Sequence, residues 1–280
     1  MIKIETKLPK EKKSKRNGKK KNGKRTSIKV LIVLGILLIF AMAFGYWLYR
    51  SVMSPNVQTA GGKDVELFIP TGSDYNQVKT ILADAQFIIN EKSFNWVANK
   101  KELPDNIHPG RYIVKDGMSN NQLVNMLRGG LQSPVKVTFN NIRNVDMLAG
   151  RIASQIEADS TSISNLLHNQ EYINQLGFNS YTIPALFLPD TYEFYWNTDA
   201  EGFVVRMFQE YNKFWNEERK PQAQSKGMTP VQVSTLASIV NRETNMTHEM
   251  PRVAGVYLNR LKNNWLLQAD PTLIFALNDY

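Results

Sequence analysis

The chain has 280 residues, with 34 Lys and Arg against 25 Asp and Glu, and no cysteine. The absence of thiols excludes a disulfide scaffold and a thiolate metal site, and the length allows an anchor plus about two domains of ordinary size. The formal charge of +9 is unevenly placed: residues 1–29 carry thirteen Lys/Arg against Glu5 and Glu11, a net +11, so the remaining residues sum to −2. Nucleic-acid binding is a poor reading of that run, because no aromatic interleaving or folded basic face accompanies it. A disordered tail held in the cytoplasm by the positive-inside rule is the expectation for residues 1–29.

Residues 30–50 are predicted to form one transmembrane helix. From Val30 to Tyr49 there are twenty residues without charge or proline, and at about 1.5 Å each they span roughly 30 Å, the hydrocarbon thickness of a bilayer. Tyr46, Trp47 and Tyr49 close it, where aromatic rings favour the interface. A cleaved signal would have a shorter apolar stretch and a small-residue cleavage site; Tyr49, Arg50 and Ser51 follow instead.

Residues 51–63, with Ser, Pro, Asn and Gly61-Gly62, read as a linker. In 64–133, Val65, Leu67 and Ile69 alternate as a strand, Ser73 is the expected cap of a helix to about Ala85, and a second helix covers about 91–101. Gly110 to Val114 reads as a strand, and Ser119 caps a helix with Leu123, Met126 and Leu127 inward. This is a small mixed α+β module.

In 134–280, Val135, Val137 and Phe139 alternate as a strand. Helices are expected at about 144–156 and 162–176, followed by an irregular aromatic-rich stretch from Tyr181 to Trp196 and a helix over about 201–220. Thr229-Pro230 is an N-cap with proline at the first helical position, opening a helix to about Glu243. One more helix covers about 251–261, and an apolar run, Leu273 to Leu277, lies near the end with nothing after it to cover it, which suggests a fragment of a longer domain.

The helix after Thr229 is the informative one for chemistry. At about 100° per residue, Leu236, Val240 and Glu243 share a narrow sector flanked by Val233 and Ile239, while Asn241 and Arg242 point away. A carboxyl carried inward on an apolar face loses solvation, and its pKa rises. A carboxylic acid kept protonated near neutral pH is what glycosidic cleavage needs at the leaving oxygen. A structural ion pair with Arg252 or Arg260 is the competing reading, and spacing alone favours it. His108, His168 and His248 are scattered without metal-ligand spacing. No phosphate loop or nucleophile elbow occurs. The rings of Tyr181–Trp196, with Asp190 and Glu193, suit either sugar binding or a core.

Three segments carry a resemblance. They are Leu186-Phe187-Leu188-Pro189-Asp190-Thr191-Tyr192; Leu236–Val240 with Glu243-Thr244 and Val253–Leu261; and Leu267-Gln268-Ala269-Asp270-Pro271-Thr272. The chain resembles the YceG-like endolytic murein transglycosylases from about Val65 onward. Asn241 stands where some members carry a second Glu, Pro184-Ala185 stands where a Glu-Gly pair is usual, and the family's later Asn-Thr-Tyr and Gly-Leu-Pro-Pro segments are missing.

The resemblance implies a LysM-like first module, notably at Ile69–Ser73 and Pro109–Tyr112, and a mostly helical α+β catalytic domain. It further implies lytic cleavage of the MurNAc–GlcNAc bond in nascent peptidoglycan strands, leaving a 1,6-anhydro end and so terminating or trimming chains. Glu243 is then the catalytic acid and base, with Asp190, Tyr192, Asn259, Arg260, Gln268, Asp270 and Thr272 binding or positioning substrate, and with no metal or organic cofactor. It places the protein in the bacterial cytoplasmic membrane, active part outside, near peptidoglycan synthases of the elongation or division machinery. Two rivals stay open: a glycan-binding scaffold without activity, and a hydrolase pairing Glu243 with Asp190 or Asp270.

Overall fold

The computed structural model describes residues 22–140 and 142–277. The expected tail therefore lies, up to residue 21, outside the described residues. The first helix, α1 (Asn22–Met53), contains a stretch from Lys29 to Met53 long and apolar enough to cross a membrane. Its 25 residues span about 37 Å at 1.5 Å each. Side chains from Val30 to Trp47 are exposed on every face, which marks an apolar cylinder rather than one amphipathic stripe.

The remainder, residues 55–277, is helix-rich α+β. Its first part contains β1 (Val65–Ile69), α2 (Tyr75–Asp84), α3 (Glu91–Lys100), β2 (Gly110–Val114) and α4 (Asn120–Arg128). β1 and β2 pair antiparallel, with Leu67 opposite Tyr112 and Ile69 opposite Gly110. The alternation puts Leu67, Ile69, Tyr112 and Val114 inside with Val78, Leu82, Phe94, Val97, Leu123 and Leu127. The cap of α2 is Asp74 rather than Ser73: its carboxylate accepts from Gln77 N while the Gln77 side chain accepts from Asp74 N, a reciprocal capping box. Ser73 instead closes the turn before it, donating its N–H to the Pro70 carbonyl.

Composition makes 51–63 a linker, but residues 55–59 are folded onto this part. Val57 and Asn56 are buried, and the N–H groups of both donate to the Met118 carbonyl. Asn56 accepts from Asn90 N at 2.8 Å and donates to Asn120 Oδ1 at 2.7 Å. A buried amide satisfied from both ends fixes a strand-like segment that composition reads as loose.

The second part runs β3 (Val135–Phe139), α5 (Val145–Ala153), α6 (Ser160–His168), α7 (Gln170–Gln175), a 3₁₀ turn at Ile183–Leu186, β4 (Asp190–Phe194), α8 (Ala200–Phe214), α9 (Arg219–Ser225), α10 (Pro230–Glu243), α11 (Met250–Lys262) and α12 (Asp270–Leu277). The aromatic stretch hides a strand: β4 pairs antiparallel with β3, Asp190 opposite Phe139 and Phe194 opposite Val135. The helix expected over 162–176 is two helices, because Asn169 breaks it and caps the second, accepting from Glu171 N and Tyr172 N. The helix expected over 201–220 ends at Phe214, where buried Trp215 leaves helical geometry.

The main core gathers β3, β4 and α5–α8 around Phe139, Ile152, Leu167, Phe187, Phe194 and Phe203. A smaller core lies between α10, α11 and the approach to α12: Leu236, Ile239, Val240, Tyr257 and Ala269. Val231 and Val233, early in α10, pack on the main core, whereas Leu236 onward serve the small one. Helix α10 thus joins the two. The apolar run on α12 is exposed at Leu273, Ile274, Phe275 and Leu277.

Candidate active site

Helix α10 is set by its ends. The Thr229 hydroxyl accepts from Gln232 N at 3.2 Å, and Gln232 Oε1 accepts from Thr229 N at 2.8 Å, with Pro230 at the first helical position. At the other end Thr244 is extended (φ −147°, ψ 139°), so Glu243 is the last helical residue. The Thr244 hydroxyl donates to Glu249 Oε2 at 2.7 Å and accepts from Met246 N at 3.1 Å, bracing the turn into α11.

Glu243 continues the sector of Leu236 and Val240, but it is exposed. The expected desolvation on the apolar face is corrected here: the cover provided by α11 and Ala269 ends one turn earlier, at Ile239 and Val240. The competing ion pair is absent too, since no salt bridge among the described residues involves Glu243. What meets the carboxylate is Tyr257. Its ring is buried on α11, and its pKa is raised by that burial first, then by the neighbouring Glu243 carboxylate, with Arg260 opposing and Asp270 adding a little.

Sequence patterning passed over Tyr257. It sits three residues before Arg260 in the segment Val253–Leu261, so the two share a face of α11, and that spacing was the available signal. The Arg260 guanidinium donates through Nη1 to the Leu267 carbonyl, and the Arg260 carbonyl accepts from Trp265 N at 2.8 Å. Arg260 therefore shapes the loop that follows. In that loop Gln268 is exposed with φ 51°, a left-handed conformation uncommon outside glycine. It delivers Ala269 into the small core. Thr272 is half-buried and donates from Oγ1 to the Ala269 carbonyl at 2.6 Å, closing the first turn of α12 under Asp270. Asp270 and Asn259 are exposed.

Asp190 and Tyr192 form a separate group on β4. Asp190 is exposed, its Oδ1 accepting from Thr191 N at 2.7 Å. Tyr192 stacks on Phe139 with centroids 5.6 Å apart and donates to the Leu188 carbonyl at 2.7 Å. Its pKa is pushed up to about 12 by burial first, then by Asp190 and Glu210, against Arg206. This ring is a neutral brace of the strand. Beside it a small open cleft of about 70 Å³ is lined by Asn140, Arg143, Asn144, Phe187 and Pro189 among others. Among the described residues, no hydrogen bond or ion pair joins Asp190 or Tyr192 to Glu243.

The family model described as the YceG-like family matches residues 67–280. The chain belongs to the YceG-like family. A Bacillus subtilis (strain 168) protein named endolytic murein transglycosylase is 24% identical over 248 residues, covering 83% of this chain and 68% of that one. A Streptococcus pneumoniae (serotype 2, strain D39) protein of the same name is 23% identical over 274 residues, covering 87% of this chain. The chain spans about half (49%) of that pneumococcal relative. A solved structure of a YceG-like protein from Listeria monocytogenes aligns with TM-score 0.47 and 21% identity, over 78% of this chain and 77% of that one. In this YceG-like chain the matched region takes in α10, α11, the Gln268 turn and β4 together, and it begins inside β1.

Proposed function

We propose that the chain is a membrane-anchored endolytic murein transglycosylase with Glu243 as its acid and base. The observation that carries the reading is the placement of Glu243: exposed at the end of α10, free of ion pairs among the described residues, and next to Tyr257, whose ring is buried on α11. Two relatives named for this activity support it. A carboxyl open to solvent in the free protein suits a polymer substrate. A glycan strand laid over the end of α10 would bring its glycosidic oxygens to Glu243 and exclude water there.

The reaction needs one carboxyl. Protonated Glu243 gives its proton to the glycosidic oxygen as the MurNAc C1–O4 bond breaks. The C6 hydroxyl of the same MurNAc attacks C1, and the carboxylate takes that hydroxyl's proton, leaving a 1,6-anhydro ring and a restored acid. Hydrolysis by contrast needs a second carboxyl for water or for C1. Tyr257 steadies Glu243, and Arg260, Gln268, Asp270 and Thr272 form the adjoining wall. Asn259, Asp190 and Tyr192 remain candidates for contacts further along the strand. Helix α1 is the anchor in this reading, with the basic tail on the cytoplasmic side.

Mass spectrometry of glycan strands digested by the detergent-solubilised protein tests it. The expected products end in anhydroMurNAc, each lighter by one water than a hydrolytic product. Reducing ends would make the protein a hydrolase, and intact strands a binding scaffold.

A further inference from the structure

Within the segments Ile69–Ser73 and Pro109–Tyr112 of the first part, Thr71 and Arg111 reach the second part, while Ile69 and Tyr112 serve their own core. Pro70–Ser73 is a tight turn with Gly72 at φ 82° and the Ser73 N–H donating to Pro70 O, a type II arrangement that needs φ > 0 at its third residue. The turn presents Thr71 outward. The Glu157 carboxylate takes both of its donors: Thr71 N to Oε1 at 2.7 Å and Thr71 Oγ1 to Oε2 at 2.6 Å. Glu157 N in turn donates to the Trp196 carbonyl at 2.7 Å, and the Trp196 ring lies against Phe68 with centroids 5.0 Å apart.

Phe68 stands opposite Arg111 on the outer face of the β1–β2 sheet. Arg111 Nη1 donates to the Pro134 carbonyl at 2.9 Å, just where the chain enters β3, while Nη2 is held by Glu66. Three contacts of different chemistry therefore fasten one sheet face and one turn to the second part. One of them is a carboxylate with both oxygens committed to a single residue 86 positions away.

We propose that Glu157 is a positioning residue. By gripping Thr71 it fixes the orientation of the 64–133 part on the 134–277 part, so that a strand long enough to reach both parts meets Glu243 in one register. Hydrogen bonds to a charged acceptor are short and directional, whereas an aromatic pair tolerates sliding. The carboxylate supplies the angular constraint that Phe68–Trp196 does not. The kinetic consequence rests on the proposed transglycosylase reading, but the orientation itself does not.

The chain has no cysteine, so Asp84→Cys on α2 and Gln209→Cys on α8, both at exposed positions, can be spin-labelled selectively in the full chain in detergent. The expected result is a narrow inter-label distance distribution that broadens in Glu157→Ala, broadens less in Thr71→Val, which keeps the backbone N–H donor, and broadens no further than in Glu157→Ala when the two are combined. Unchanged width in Glu157→Ala, or additive broadening in the double variant, overturns the proposal. This arm reads out whether or not the protein cleaves glycan.

On long glycan strands Glu157→Ala should raise KM about tenfold, the low end of what a hydrogen bond to a charged group contributes, with kcat within about twofold and short oligosaccharides unaffected. A kcat loss equal on long and short substrates would place Glu157 in the chemistry and overturn the positioning role.

Discussion

Replacing Glu243 with Gln separates catalysis from folding more cleanly here than at a buried carboxyl. The side chain is exposed at the end of α10 and has no salt bridge among the described residues. Gln retains the shape and can still accept the Tyr257 hydroxyl through its amide oxygen. Surface changes of this kind usually stay within about 0.5 kcal/mol, which is about 1–2 °C in melting temperature for a domain of this size. Loss of the transferable proton removes the acid and the base at once. General acid–base contributions run about 10²–10⁴ in rate, or about 2.7–5.5 kcal/mol of barrier. The assay is release of anhydro-ended fragments from defined strands, with melting followed by circular dichroism on the same sample. A stable, inactive Glu243→Gln is the expected outcome. A stable variant that cleaves at the wild-type rate would refute the assignment, and so would one that melts several degrees lower while its folded fraction cleaves normally. Asn241→Ala, also exposed on α10, is the control and should move neither quantity.

Tyr257→Phe retains the ring in the small core and removes the hydroxyl that meets Glu243; activity should fall about tenfold, the cost of a hydrogen bond to a charged group, with little change in melting. Gly110 has φ +143° and an added Cβ would run into the Gln132 side chain, so Gly110→Ala should cost about 1–3 kcal/mol of stability, read by denaturant midpoint. Asp146 accepts from Ser164 Oγ at 2.5 Å and meets His168 Nε2 at 3.1 Å, and these hold its carboxyl below the ordinary 3.8, the Ser164 bond most. A depressed carboxyl stabilises fully above its unfolded pKa and loses that contribution as pH falls through the folded value. The melting-temperature gap between wild type and Ser164→Ala should therefore be constant near neutrality and shrink once the pH drops below 3.8; a gap independent of pH would refute this. A reporter active only in the cytoplasm, fused after Tyr280, should stay silent, and activity there would reverse the orientation read from the basic tail.

Much of this protein is written locally. Twenty uncharged residues from Val30 to Tyr49 can hardly do other than form an apolar helix, because nothing in them offers a polar face. Thr229-Pro230 with Gln232 starts α10, and its apolar sector leads to Glu243, since capping and the 3.6-residue period act over neighbouring residues only. The strands β1, β2 and β3 were legible from alternation for the same reason. β4 was not: Asp190–Phe194 has one buried residue, Phe194, so its alternation is faint, and only pairing with β3 makes it a strand. Burial of Glu243 could not be read from its own helix either. A helical projection says which way a side chain points, but the partner that covers that direction comes from α11 and the turn at Gln268, and their cover stops at Val240. The same limit hid Tyr257, whose role depends on α11 crossing α10, and Glu157, whose partner Thr71 is 86 residues away. Periodicity and capping are properties of a segment, whereas solvent access, charge pairing and the joining of distant turns belong to the packed chain.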